Sequence, residues 1–240
     1  MIHALIKKLF TDQTLRFIRF DLKRARARVR TFLNRGAIPK YDFLHLGCGR
    51  IRVAGWVNSD VESSDFDIDY SSGFLPWNDN SFFCVVSLHV IEHLELTNEA
   101  VGFLKEINRI LKSLGELWIS CPDLEKICYS YINDKMQNMY LDRKTRFPNY
   151  SIGEIPSQYM INDFFHQYYN QRNPYGFYSL SEHNGFHKNL YDFELLEWAL
   201  RKAGFSVITR VSEADFIERF PHFPARHDGV QSLYVFALKD

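Results

Sequence analysis

The sequence predicts an open, doubly wound α/β sheet, and three observations point to it. A short apolar run, Phe43-Leu44-His45-Leu46, stops at Gly47-Cys48-Gly49, two glycines one residue apart. That pattern is a buried strand ending in a tight turn, where backbone without Cβ lets a ligand come close. Strand-like runs then recur, each ending near a polar residue: Val57-Asn58-Ser59-Asp60, Phe66-Asp67-Ile68-Asp69, and Cys84 to His89. Finally, a helical repeat from Tyr191 to Ala203 is stopped by Gly204 and followed by two strand-like runs, Phe205 to Val211 and Ser232 to Leu238. Ligands of open α/β sheets bind beyond the carboxyl ends of the strands. Gly47, Gly49, Asp60, Asp69 and His89 are therefore expected to face one crevice.

Length and composition agree with one α/β domain carrying an elaboration, since 240 residues suffice for a full core. The formal charge is zero, so no global field argues for nucleic acid. Cys48, Cys84, Cys121 and Cys128 show no CxxC pairing, and buried reduced thiols in a cytoplasmic protein are the expectation. No signal peptide or membrane-spanning run is expected, because Lys7, Lys8 and Asp12 break the first apolar residues.

The chain opens with a basic arm, residues 1–40, with eleven Lys or Arg against Asp12 and Asp21. Leu5, Leu9, Leu15, Ile18, Phe20, Leu22, Val29 and Phe32 recur loosely at helical intervals. The arm is expected to be a helix packed ahead of the domain; peripheral membrane contact through residues 1–35 is the second reading. Gly36-Ala37-Ile38-Pro39 ends it as a hinge. The glycine turn that follows is no dinucleotide fingerprint: Arg52 stands where a third glycine belongs, and Asp60 comes eleven residues after Gly49. The spacing suits a nucleoside ligand without phosphates. So short a gap leaves room for a helix of a turn or two at most, around Arg52-Val53-Ala54.

Taken together, Leu44-His45-Leu46-Gly47-Cys48-Gly49, Gly55-Trp56-Val57-Asn58-Ser59-Asp60, Asp69 before Leu75-Pro76-Trp77, and Ser87-Leu88-His89-Val90-Ile91-Glu92-His93-Leu94 resemble the successive motifs of class I S-adenosylmethionine-dependent methyltransferases. The likeness is nearest to the branch with a shortened first crossover met in polysaccharide biosynthesis, and it continues through Glu106 to Lys112, Gly115 to Ser120 and Ala203-Gly204-Phe205. It implies a Rossmann-like seven-stranded sheet closed by a C-terminal antiparallel pair, with S-adenosylmethionine as cofactor. By the same resemblance, Asp60 accepts from the ribose hydroxyls and Asp69 from the adenine amine, with Tyr70 beside it. Gly47, Cys48 and Gly49 border the methionine moiety, and the His89 backbone lines the same cleft. One position departs from the pattern: His45 stands where many relatives carry an acid.

His89-Val90-Ile91-Glu92-His93 also matches the H-x-x-E-H inverted zinc-peptidase signature. That motif must lie within a helix, whereas His89 is expected at a strand end, so no metal is expected. Methyl transfer to a hydroxyl benefits from a general base. His89, His93, His183 and His187 are candidates because histidine titrates near neutrality. His93 and His187 are preferred, with Asp123, after the fifth strand, to orient or replace the base.

Residues 124–188 leave the sheet rhythm. Thirteen Tyr or Phe from Tyr129 to Tyr178, among Asn, Gln and Arg, predict a helical, aromatic insertion that covers the crevice and shapes the acceptor site. A cap with its own small core is the plainer alternative. Residues 213–231 read as a polar loop. The expected function is O-methylation of a sugar or glycan precursor. The alternatives are a small-molecule or lipid acceptor, or a silent module that only binds S-adenosylmethionine.

Overall fold

The computed structural model describes residues 12–165 and 187–240. Helix α1 (Asp12–Leu33) precedes a seven-stranded sheet made of β1 (Phe43–Leu46), β2 (Val57–Asp60), β3 (Phe66–Asp67), β4 (Phe82–Leu88), β5 (Leu111–Pro122), β6 (Phe205–Val211) and β7 (Ser232–Lys239). The strand order is β3-β2-β1-β4-β5-β7-β6. β1 to β5 run parallel, and β7 is antiparallel to both β5 and β6. This is the Rossmann-like sheet with a closing antiparallel pair that the resemblance implies. The order reverses at β1, whose two neighbours are β2 and β4, so the tips of β1, β2 and β4 meet at the switch point.

Both faces of the sheet are covered. On one, α2 (Val101–Ile110) and α6 (Phe193–Lys202) bury Phe103, Leu104, Ile107, Leu196 and Leu200 against Leu44, Leu46, Val85 and Ile119. On the other, Trp56, Phe216, Phe220 and Phe223 pack on Val86, Trp118 and Tyr234. Each such side chain contributes about 2 kcal/mol of burial. The second face corrects the expectation of a polar loop. Helix α7 (Glu213–Arg219) opens with a capping box between Ser212 and Asp215, and Phe216, Phe220 and Phe223 turn inward from it and from the loop beyond. Its polar residues are the exposed side of an amphipathic turn.

The first crossover holds no helix, contrary to the expected turn or two at Arg52–Ala54. The Asn58 side chain does the work instead. Its Oδ1 accepts from Val53 N at 2.9 Å, and its Nδ2 donates to the carbonyls of Val53 and Trp56 at 3.2 and 3.0 Å. A single amide thus satisfies backbone groups that a helix would have paired.

After β5, helices α3 (Leu124–Asp134), α4 (Gln137–Arg146) and α5 (Ile161–Phe165) enclose a separate small core of Ile127, Met136, Met139, Tyr150, Met160 and Phe164. Many of the tyrosines expected there and His183 lie outside the described residues.

Helix α1 docks unusually. It buries Ala27 and Thr31, while Phe17, Ile18, Leu22, Val29, Phe32 and Leu33 are exposed. Four of its basic residues pair with carboxylates of the domain: Arg24 and Arg28 with Asp69, Arg30 with Asp67, and Lys23 with Glu62. No helix among the described residues is long and apolar enough to cross a membrane.

Candidate active site

Two lips border the crevice at the strand tips. The first is built by the turn after β1 and the ends of β2 and β3. Gly47 and Gly49 both adopt left-handed conformations, at φ 72° and 54°. A Cβ on Gly47 would stand 2.1 Å from the Val90 side chain, so only glycine fits there. The turn is held by side chains that the sequence places after it. Gly49 N donates to Asp60 Oδ2 at 2.7 Å, and Gly47 N donates to the Tyr70 hydroxyl at 2.9 Å. That hydroxyl lies 3.2 Å from Ser59 Oγ.

Asp60 also accepts from Val61 N, at 2.7 Å on Oδ1. Two donors occupy a carboxylate with about four acceptor sites, which leaves capacity for a pair of ligand hydroxyls. Asp69 differs. It is buried and accepts from Arg24 Nε on both oxygens at 3.1 Å, from Arg28 Nε at 2.7 Å, and from Ser71 N and Oγ at 3.2 and 2.8 Å. Its acceptor capacity is filled, so in this arrangement Asp69 docks α1 and has none to spare for an adenine amine. Tyr70 is a support for the glycine turn. The Cys48 thiol is pushed up to about 12 by burial and by the nearby Asp60 carboxylate, and is inert at neutral pH. His45 is lowered to about 4 by burial, and its ring lies edge-on to Phe223 with centroids 4.9 Å apart.

The second lip starts at the end of β4. His89 takes a left-handed backbone conformation, φ 56°, which costs a non-glycine residue about 1–2 kcal/mol. Its ring is clasped on both sides: Nδ1 stands 3.0 Å from Glu92 Oε1, and Nε2 stands 3.1 Å from both Asp228 Oδ2 and Ser232 Oγ. Burial disfavours its charged form, but the two carboxylates prevail and raise its pKa. Asp228 in turn accepts from Arg226 Nε at 2.8 Å and from the Tyr234 hydroxyl at 2.7 Å. Burial alone would raise Glu92; the His89 hydrogen bond and charge hold it down at about 2.

Residues 187–191 return to this lip. Lys188 N and Asn189 N donate to Glu92 O at 2.7 and 3.2 Å, and Asn189 Nδ2 donates to Leu94 O at 2.6 Å. That stitching brings the His187 ring to a centroid distance of 5.1 Å from His93. His187 Nδ1 donates to Phe164 O at 2.6 Å, which leaves Nε2 as the unprotonated nitrogen. Burial lowers its pKa to about 4. Ligand atoms of Glu92, His93 and His187 all lie within 4.8 Å of one another.

Of the expected site residues, the structure thus gathers Gly47, Cys48, Gly49 and Asp60 on one lip and His89, His93 and His187 on the other. Asp123 is the N-cap of α3: its Oδ1 accepts from Glu125 N and Lys126 N at 3.1 and 3.4 Å, and no described contact joins it to the histidines. Sequence reading passed over Arg226 and Asp228, which sit in the segment taken for a polar loop.

Residues 65–119 match the family described as "Methyltransferase domain", a minor part of the chain that spans β3 to β5. No curated protein matches. Among solved structures, a chain of the complex between the Haloferax volcanii Trm112 methyltransferase activator and the putative methyltransferase is similar at 15% identity and a TM-score of 0.42, over 95% of this chain and 92% of that one. A S-adenosylmethionine-dependent methyltransferase from Mesorhizobium loti is similar at 16% identity and 0.43, over 87% and 95%. Haemonchus contortus phosphoethanolamine N-methyltransferase 2, in complex with S-adenosyl-L-methionine, is similar at 14% and 0.40, over 90% and 52%. Likeness of this order says nothing of acceptor or partner. The matched segment covers less than half of the chain and lies within the sheet order that the sequence motifs imply.

Proposed function

We propose that the protein methylates a hydroxyl oxygen of a sugar or glycan precursor, with the first lip holding the donor and the second facing the acceptor. The observation that supports the donor half of this most is the spare acceptor capacity of Asp60. Asp60 keeps acceptor capacity beside a turn that any Cβ would block, as a ribose and a close-lying methionine moiety require. When bound, S-adenosylmethionine supplies a methyl group on a positively charged sulfur. Asp60 accepts from the ribose hydroxyls, and the backbone of Gly47, Cys48, Gly49 and His89 borders the rest. Asp69 and Tyr70 contribute by position, Asp69 by fixing α1 and Tyr70 by fixing Gly47.

On the second lip, His187 or His93 takes the acceptor proton. The Nδ1 hydrogen bond of His187 to Phe164 O aims Nε2 for that task. Asp123 sets the start of α3 and so the placing of the insertion above. Exposed Tyr129, Tyr131 and Tyr159 on that insertion offer ring faces of the kind that sugars stack on. The exposed apolar side chains of α1 favour a second reading of the acceptor, a lipid-linked one reached by peripheral membrane contact of residues 1–35.

The test is titration calorimetry of wild type and Asp60→Ala against S-adenosylmethionine. Two charge-assisted hydrogen bonds at about 1.5–3 kcal/mol each predict a loss of about a hundredfold or more. Equal affinity in the two proteins would overturn the donor assignment. Release of S-adenosylhomocysteine with glycosides but not with their deoxy analogues would establish the acceptor.

A further inference from the structure

We propose that Glu92, His93 and His187 form a site for one divalent transition cation of the zinc type. The three offer one carboxylate oxygen and two imidazole nitrogens, with all ligand atoms within 4.8 Å of one another. Around a tetrahedral zinc with bonds of about 2.1 Å, neighbouring ligand atoms stand about 3.4 Å apart. The cluster needs to close by about an ångström, which side-chain torsions supply. Two imidazoles and one carboxylate are a ligand set that zinc accepts, and harder cations such as magnesium prefer oxygen alone.

Independent features point the same way. Glu92 is 1% exposed, and its Oε2 has no hydrogen-bond partner, an expensive state for a buried carboxylate oxygen. Its other oxygen is held by His89, and the Nδ1 of His187 is held by the Phe164 carbonyl. Ligands of bound metals are oriented by such outer partners, which fix the tautomer and leave the ligating atom free. The outer shell is itself anchored, since His89 is clasped from behind by Asp228 and Ser232. A general base needs one histidine and one orienting partner; it gives no reason for a second imidazole and an orphan carboxylate oxygen to converge there.

The arrangement also separates this site from the peptidase signature in the sequence. His89, the first histidine of H-x-x-E-H, serves as an outer partner, and the second imidazole comes from His187, far along the chain. Three protein ligands leave a coordination position open, and an ionisable oxygen of the acceptor is the chemistry that suits it. With a cation bound, His93 and His187 would serve as its ligands and not as the base, and the cation would take over the task of easing the acceptor's ionisation. That role rests on the methyl-transfer reading, whereas the binding of the cation does not.

Chelator-stripped full-length protein titrated with zinc, with magnesium as a second probe, decides the matter. One zinc per chain is expected, no stoichiometric magnesium, and at least tenfold weaker zinc binding in His187→Ala and in Glu92→Gln. His222→Ala, which removes an exposed histidine outside the cluster, should bind as wild type does. Should Glu92→Gln fail to fold, His93→Ala and His187→Ala carry the test, because neither residue is fully buried. Cobalt bound in place of zinc should give visible absorption that the His187→Ala protein lacks. Absence of stoichiometric zinc, or equal affinity in wild type and the cluster variants, overturns the site. S-adenosylmethionine affinity measured on the same samples keeps the two readings apart: donor binding without zinc sinks only the cation, and zinc binding without the donor sinks only the donor reading.

Discussion

The two lips of the crevice are assembled by opposite means. The first, Gly47 to Asp60 with Tyr70, is local in sequence, and its contacts run from backbone N–H groups to side chains eleven and twenty-three residues away. The second joins Glu92 to residues about a hundred positions later and His89 to Ser232, 143 positions later. The first lip is rigid backbone that admits one shape; the second is a charge network in which every member depends on another. Donor binding and acceptor chemistry are therefore expected to fail separately. A substitution on one lip should leave the other's measurement nearly intact.

The sharpest way to break that separation is His187→Ala or His93→Ala. Loss of the group that takes the proton, or of a cation's ligand, should lower kcat by about 10²–10⁴-fold, while S-adenosylmethionine affinity stays within about threefold. Parallel loss of both would show that the lips are one unit. Next in size is Gly47→Ala. Its φ of 72° and the 2.1 Å approach to Val90 combine left-handed strain with overpacking. Together these should cost about 3 kcal/mol of unfolding free energy in urea titrations, with weakened donor binding. A variant as stable as wild type would mean that the turn is softer than its geometry implies.

The same division explains what the sequence disclosed. Strand tips, the glycine turn and Asp60 follow from alternating burial and from spacings of a dozen residues, which a linear reading can follow. Asp69 is the instructive exception: its place at the tip of β3 was legible, but its partners Arg24 and Arg28 lie upstream in a helix whose docking face is charged and not apolar. Hydrophobic periodicity says nothing about a face that docks through ion pairs. Helix α7 was missed because Glu213, Glu218 and Arg219 give its exposed side a polar composition, although Ser212 and Asp215 spell its capping box. The His93–His187 meeting had no local signal, since it is fixed by backbone hydrogen bonds to Glu92 O.

A smaller effect probes the floor of the first lip through pH. His45 is buried on β1, and burial holds its folded pKa near 4 against an ordinary value of 6.5. The unfolded chain therefore binds the extra proton first. Its neutral burial stabilises fully above pH 6.5, and that contribution drains away as pH falls toward 4. A depression of that size is worth about 3 kcal/mol at most. His45→Phe keeps the ring against Phe223 and removes the titration. The variant's urea midpoint should fall less than wild type's between pH 7.5 and 4.5; identical slopes would place the acid sensitivity elsewhere, the His89–Asp228 clasp being next in line.

The smallest expected effect concerns what fixes α1. Arg24 is largely shielded and Arg28 is half-exposed, so solvent screens the second pair more than the first. Arg24→Ala takes the better shielded cation from a buried carboxylate that keeps Ser71 and Arg28 and should cost about 2 kcal/mol, and Arg28→Ala well under 1 kcal/mol. A double-mutant cycle with Asp69→Asn should assign most of the Arg24 cost to that pair. Because Asp69 is filled by the helix, Arg24→Ala should also leave S-adenosylmethionine affinity unchanged or improve it, by freeing acceptor capacity at the adenine end. Weaker donor binding in Arg24→Ala would mean that α1 shapes the first lip directly, and the local character that distinguishes this lip from the second would no longer hold.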